Sequence, residues 1–323
     1  MNIFFIPSQY FGGIGRDYSA FQESFLEILH SQHTLNSTAS KIVFESKKPF
    51  FSIGLINFYW NRKNQILLNA QFDSRRIIIG GGTIVQRLHD VFPMTNPNWF
   101  SIKSVISFKL AFTILKHKEI VYVANSEFTR VEAAKFINKE RILLHYCQDT
   151  LKPTFACKVC PGCKFPLDSE YCLFVGTVEP RKNYQIVPAI AQSLTDLNLV
   201  IVGRNGWKNS NILQTFKKTQ NIKYLEECCD FALDKLYRNC KAFISTSLQE
   251  GFNISALEAH NRGARLILSD IPVHREVFGA VANFCETIDQ YLEELKKVKS
   301  VKPIQPNELS HVTTLDKIAG RLT

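Results

Sequence analysis

The chain has 323 residues and a mass of 37.0 kDa, more than one ordinary hydrophobic core accommodates and enough for two domains of about 150 residues each. Apolar residues make up 45% and charged residues 21%, a balance that excludes a mostly disordered chain. The net charge of +10 points to an anionic partner such as phosphate, nucleic acid or acidic lipid without choosing among them, and it is spread over both halves rather than gathered in a basic arm.

The opening segment, MNIFFIPSQYFGG, has no basic region ahead of its apolar run and no small-residue cleavage site, so it does not read as a signal peptide. No window holds 18 consecutive apolar residues; Lys103, Lys109, Lys116 and Lys118 interrupt one of the richest stretches. Several of the nine cysteines (Cys172, Cys240 and Cys285) sit in apolar runs, as small hydrophobes do in a reducing compartment. The expected localisation is cytoplasmic.

Short apolar runs alternate with longer amphipathic stretches, the signature of parallel sheets with crossover helices. In the first half, strands are expected near 2–7, 41–45, 65–70, 76–79, 84–88, 120–125 and 142–146, and helices near 17–31, 98–117 and 127–138. The stretch 46–64 gives no clear pattern. Residues 148–169 contain three prolines, a glycine and no periodicity, so the expected division is a first domain over 1–150, a linker over 151–169 and a second domain over 170–323. The second half predicts strands near 171–175, 199–202, 222–225, 242–246, 265–268 and 281–284, with helices near 183–195, 209–219, 232–239, 253–262 and 287–298. The fold class is α/β, with two Rossmann-like domains facing a cleft. Ligands in such folds gather at the carboxyl ends of the strands.

Several motifs fall at those ends. Gly12-Gly13-Ile14-Gly15 follows the first strand, so Gly13 and Gly15 can present backbone N–H groups to a phosphate; the plainer reading is a glycine turn, since Tyr18 replaces the third glycine of a dinucleotide fingerprint. Glu179-Pro180-Arg181-Lys182-Asn183 follows the first strand of the second half. Its Arg fork and Lys point charge can neutralise a diphosphate, or the segment is a solvated basic turn. Arg204 is a weaker candidate of the same kind. Glu250-Gly251-Phe252-Asn253-Ile254 opens a helix that also carries Glu258, so backbone N–H groups from Gly251 to Ile254 can face an anion while the carboxylates accept from sugar hydroxyls. Cys157-x2-Cys160-x2-Cys163 is spaced for thiolate ligation of zinc but lacks the usual second, distant CxxC pair; a cysteine-rich loop with no metal is the expectation.

Taken together, the chain resembles the retaining glycosyltransferases of family 4, whose two-domain architecture is called GT-B. The resemblance rests on the E-x7-E segment Glu250 to Glu258, on Glu179-Pro180-Arg181-Lys182-Asn183 after Phe174-Val175-Gly176, on Val202-Gly203-Arg204, on the early glycine loop and on Val123-Ala124-Asn125-Ser126-Glu127-Phe128-Thr129, all in the family's order. It implies that Glu258 holds the nucleotide ribose, Glu250 contacts the donor sugar, and Arg181 with Lys182 holds the diphosphate. It further implies a place beside the donor sugar for His89, in LHDVFP. Asn253 and Ser255 stand where the commoner version of the motif has glycine and proline, which leaves the sugar preference open.

The implied function is transfer of a hexose from a nucleotide diphosphate sugar, GDP-mannose favoured, to a glycan or lipid-linked glycan precursor, with retention of configuration and without a metal or other cofactor. The wording of the motifs is similar to bacterial mannosyltransferases of surface polysaccharide and lipopolysaccharide synthesis. A nucleotide-sugar epimerase on the same fold and a non-catalytic basic binding protein are the alternatives; no nucleic-acid-binding motif is present. Basic residues Lys47, Lys48, Arg62, Lys63, Arg75 and Arg76 in the first domain suggest peripheral contact with an anionic membrane.

Overall fold

A computed structural model describes residues 2–6, 21–22, 43–46, 48–49, 51–53, 56–63, 65–69, 76–115, 120–147, 151, 163 and 170–297. Two compact units divide the chain, one within Met1–Gln148 and the other within Asp149–Ser310.

The described strands of the first unit are β1 (Asn2–Ile6), β2 (Val43–Ser46), β3 (Phe51–Ile53), β4 (Ile56–Asn61), β5 (Gln65–Asn69), β6 (Arg76–Gly80), β7 (Thr83–Leu88), β8 (Ile120–Ala124) and β9 (Ile142–Leu144). Its longer helices are α1 (Ile102–Leu115) and α2 (Glu127–Ala134). Six strands pair in parallel in the order β2-β1-β5-β7-β8-β9. The continuous burial of β5, β7 and β8 is what a parallel sheet covered on both faces demands. Leu67, Ile84, Leu88, Tyr122 and Ile142 pack with Phe112 and Ala133 of the helices into one core. The Ser126 side chain starts α2 by accepting from the Thr129 N–H at 3.0 Å.

One expectation needs correcting here. The run 76–79 reads like another strand of the βα series, yet β6 pairs with β4 in a separate three-stranded sheet completed by β3, inside the stretch that gave no pattern. Gly80 makes this possible: its φ is +105°, and a Cβ there would lie 2.1 Å from the Asn61 carbonyl oxygen. The chain can therefore leave β6 and enter β7 within two residues.

The second unit contains β10 (Tyr171–Val175), β11 (Asn198–Val202), β12 (Ile222–Leu225), β13 (Ala242–Ser245), β14 (Arg265–Ser269) and β15 (Ala282–Cys285). They form an all-parallel sheet in the order β12-β11-β10-β13-β14-β15, the doubly wound order whose topological switch point lies between β10 and β13. The crossover helices are α3 (Val187–Ser193), α4 (Ser210–Lys218), α5 (Asp230–Asn239), α6 (Ile254–Asn261), α7 (Pro272–Phe278) and α8 (Ile288–Lys297). Val187, Ile190, Phe216 and Leu295 cover Phe174, Leu199, Ile201 and Ile244 of the sheet.

Two helices differ from expectation. The helix expected over 183–195 begins only at Val187, after two 3-10 turns at Pro180–Lys182 and Tyr184–Ile186. Asn183 sits between those turns in the left-handed region with φ 52° and breaks the helical run. Helix α7 lies where no helix was expected, in a segment too short for its 3.6-residue period to show.

Candidate active site

The β10 and β13 strands end side by side, and the loops that leave them carry the charged residues. Arg181 and Lys182 occupy the first 3-10 turn after β10, where short backbone loops throw both side chains toward the loop after β13. There they meet Glu250. Both cations bond its carboxylate, with Lys182 Nζ 2.6 Å from Oε1 and Arg181 Nη1 on Oε2. Ser247 Oγ donates to Oε1 at 2.7 Å, and Arg181 reaches Glu179 at 2.6 Å and the Gln249 carbonyl at 3.1 Å. All four charged side chains are mostly buried, from 17% exposed at Arg181 to 5% at Glu179. Two cations and two carboxylates therefore balance within one buried cluster, the condition under which such charges are tolerated.

Burial alone would raise the Glu250 pKa, but the charges of Arg181 and Lys182 and the hydrogen bonds from Lys182 and Ser247 hold it well below the usual carboxylate range. Glycine makes room for the cluster. Gly176 ends β10 with φ +153°, and a Cβ on it would stand 2.9 Å from Lys182 Cε and 3.1 Å from its ammonium nitrogen.

Asn253 shapes the start of α6. It occupies the left-handed region with φ 76°, and its Oδ1 accepts from the Ala256 N–H at 3.3 Å as the N-cap. This explains why asparagine substitutes for the commoner glycine: it is among the few residues with a side chain that tolerate positive φ. Its Nδ2 lies 3.1 Å from Ser245 Oγ and 2.8 Å from His274 Nε2. His274 is fully buried and its Nδ1 lies 2.8 Å from the Ser269 carbonyl oxygen, which can only accept. Nδ1 is therefore the protonated nitrogen and Nε2 the acceptor for Asn253. Burial lowers the His274 pKa to about 4, against the opposing influence of the Ser269 carbonyl and Glu250.

Glu258, one turn into α6, is 1% exposed, and its Oε2 accepts from Tyr237 Oη of α5 at 3.0 Å. Nearby, Asp234 of α5 accepts from Arg262 at 2.7 Å, and Arg262 also donates to the Glu258 carbonyl at 2.9 Å. These contacts lock α5 to α6 and so fix the depth of Glu258.

The structure thus brings Arg181, Lys182, Glu250 and the Gly251-Phe252-Asn253-Ile254 loop together, with Glu258 on the helix that follows. Arg204 is exposed after β11, its carbonyl accepting from the Val178 N–H at 2.9 Å. His89 belongs to the first unit, just after β7, where its carbonyl accepts from Asn125 Nδ2 at 3.0 Å and Thr129 Oγ1 at 3.4 Å. Gly13 and Gly15 lie outside the described residues, as do Cys157 and Cys160. Among the described residues no group of three or more His, Cys, Asp or Glu side chains is arranged for a metal ion. Sequence reasoning missed Ser247 and His274. The only signal for either was position after a strand, because their partners lie 3 and 21 residues away in sequence.

Residues 163–301, somewhat less than half of the chain, match the protein family described as "Glycosyl transferases group 1". The serotype-specific mannosyltransferase WbdA of Escherichia coli is 32% identical over 113 residues, which is 32% of this chain and 14% of WbdA. The O-antigen chain mannosyltransferase RfbU of Salmonella typhimurium is 27% identical over 194 residues, covering 59% of this chain and 53% of RfbU. The matches thus span at most about half of these relatives. Among solved structures, Anabaena HepE, in complex with UDP and glucose, superposes with a TM-score of 0.62 at 14% identity, over 99% of this chain and 94% of HepE. WaaG, a glycosyltransferase involved in lipopolysaccharide biosynthesis, gives 0.57 at 12% identity, over 100% of this chain and 94% of WaaG. The chain therefore has the α/β fold of GT-B glycosyltransferases, and the stretch that matches the group 1 glycosyltransferase family falls within its second unit.

Proposed function

We propose that this protein is a retaining glycosyltransferase, of the family 4 kind, that moves a hexose, mannose favoured, from a nucleotide diphosphate sugar to a glycan precursor. The observation that carries the reading is the buried cluster of Arg181, Lys182 and Glu250 at the switch point, beside the N-terminus of α6. A sheet end with two cations and a helix N-terminus is suited to a diphosphate, and the mannosyltransferase relatives favour GDP-mannose.

In this mechanism the diphosphate competes with Glu250 for Arg181 and Lys182, which turns the Glu250 carboxylate toward the sugar hydroxyls. The bond between the anomeric carbon and the phosphate oxygen breaks, and its electron pair leaves with the nucleoside diphosphate. The acceptor oxygen bonds to the anomeric carbon on the same face, and its proton passes to the departing phosphate. Negative charge grows on the diphosphate as the bond lengthens, so Lys182 and Arg181, the latter still held by Glu179 and both already turned to the bound diphosphate, stabilise the transition state. No metal is required in this reading, and Glu258 holds the ribose hydroxyls.

The proposed setting is the cytoplasmic face of a membrane that presents a lipid-linked acceptor. No helix of the described residues is long and apolar enough to cross a membrane. Helix α1 exposes Ile102, Ile106 and Leu110 at four-residue intervals, with Lys103 and Lys109 also exposed, a pattern suited to an anionic surface.

Purified protein is to be incubated with a panel of nucleotide sugars and a glycan acceptor extract, and nucleoside diphosphate release and product configuration followed by NMR. The expected result is acceptor-dependent release from GDP-mannose with an α-linked product. An epimerised donor formed without acceptor, or no binding of any nucleotide sugar, overturns the proposal.

A further inference from the structure

Behind the cluster of Arg181, Lys182 and Glu250 lies a row of polar side chains. Ser245 closes β13, Ser247 follows it in the loop, Asn253 caps α6 and His274 belongs to α7, just beyond the end of β14 at Ser269. These four side chains are buried, and their hydrogen bonds join end to end. Ser247 Oγ lies 2.7 Å from Glu250 Oε1 and 3.1 Å from Ser245 Oγ. Asn253 Nδ2 lies 3.1 Å from Ser245 Oγ and 2.8 Å from His274 Nε2, and His274 Nδ1 lies 2.8 Å from the Ser269 carbonyl oxygen.

The ends and the middle of this row fix every proton in it. An ionised carboxylate and a carbonyl can only accept, so Ser247 donates to Glu250 and His274 Nδ1 donates to Ser269. Asn253 Oδ1 accepts from the Ala256 N–H, which leaves the two amide N–H bonds for His274 Nε2 and Ser245 Oγ. Because Ser247 has already given its proton, Ser245 donates to Ser247. The order of the whole row depends on Nε2 of His274 remaining an acceptor.

This order bears on Glu250. When a diphosphate draws Arg181 and Lys182 away, the bond from Ser247 is what still holds the Glu250 carboxylate. A serine hydroxyl turns freely unless its neighbours fix it, and here those neighbours lead back to His274. A ring without an acceptor at that place would leave an Asn253 N–H buried and unpaired, so the amide would turn and free Ser245 and Ser247 in succession.

We propose that His274 is a positioning residue: through Asn253, Ser245 and Ser247 it holds the Glu250 carboxylate in the orientation that meets the donor sugar. The role rests on the transferase function proposed above and adds to it residues that touch neither donor nor acceptor.

The test uses the full chain with 15N-labelled histidine. Ring 15N NMR at pH 7 should show His274 protonated at Nδ1 and bare at Nε2. Saturating pyrophosphate should shift the Nε2 resonance of the wild type, and Ser245→Ala, which cuts the row midway, should abolish that shift while pyrophosphate still binds. With the nucleotide sugar that the wild type turns over, His274→Phe should lower kcat about tenfold and leave the pyrophosphate Kd within about twofold, because the cations that hold the diphosphate stay in place. His274→Gln, whose amide oxygen can accept from Asn253, should recover most of the lost kcat. A proton on Nε2, a pyrophosphate shift that persists in Ser245→Ala, a His274→Phe variant with wild-type kcat, or kcat and pyrophosphate affinity falling in parallel overturns the proposal. Should the wild type bind pyrophosphate and transfer no sugar, the transferase reading falls with the sugar-orienting role, while the two NMR results still decide whether His274 is coupled to Glu250.

Discussion

Replacing Glu250 with glutamine tests the buried cluster directly, because the side chain keeps its shape and loses its charge. In the wild-type protein Glu250 accepts from Arg181, Lys182 and Ser247, and Glu179 alone remains to balance two cations once it is neutral. Breaking one side of a buried ion pair typically costs about 3–5 kcal/mol. For a unit of this size each kcal/mol lowers Tm by about 2–4 °C, so Glu250→Gln should melt on the order of 10 °C below wild type by calorimetry at pH 7. A diphosphate would then replace the missing charge. Pyrophosphate or nucleoside diphosphate should therefore bind the variant more tightly and, at equal concentration, raise its Tm more than the wild type's, the variant gaining about 2.7 kcal/mol at a hundred times its own Kd, while turnover falls. A variant that melts within 2 °C of wild type, or that gains no more from pyrophosphate than wild type does, refutes the argument that Glu250 is the internal counter-ion of the diphosphate site.

Acid should weaken the fold through His274. Its folded pKa of about 4 is below the 6.5 of an exposed imidazole, so the unfolded chain binds the proton first, and stability is full above pH 6.5 and lost by about 3 kcal/mol as pH falls to 4; denaturant titrations should show this slope and a flatter one for His274→Gln, and equal slopes would dismiss it. At Asn253 the left-handed backbone and the cap predict an order of stability of wild type, then Asn253→Gly, then Asn253→Ala, with the alanine lower by about 2–3 kcal/mol from a lost cap and roughly 1–2 kcal/mol of strain; alanine equal to or above glycine would contradict the φ assignment. Glu258→Ala should weaken free nucleoside diphosphate binding by at least tenfold in calorimetry, since charge-assisted hydrogen bonds contribute about 1.5–3 kcal/mol each, and unchanged affinity in a folded variant removes Glu258 from the ribose site. Anionic vesicles should pellet the protein at low salt and release it at high salt, with Ile106→Asp reducing recovery; equal recovery with neutral vesicles would count against the proposed surface.

The alternation of apolar runs and amphipathic stretches was enough to reveal two βα series, because a parallel sheet covered on both faces requires strands as continuously apolar as Leu199–Val202 and Leu266–Leu268. Position after a strand likewise singled out Arg181, Lys182 and Glu250, which the fold gathers into one buried cluster because a doubly wound sheet delivers the loops after neighbouring strands to one edge. Sequence was silent where the deciding contact was long-range. Nothing in the run 76–79 says that β6 joins β4 rather than the main sheet; the conformation of Gly80 and its close approach to Asn61 decide that. Tertiary structure alone shows that Glu250 neutralises Arg181 and Lys182, that Asn253 accepts a backbone conformation ordinarily left to glycine, and that His274 stands behind it. Hydrophobic periodicity records which face of an element is buried, whereas charge balance and hydrogen-bond partnership depend on residues that only the folded sheet brings within 3 Å of one another.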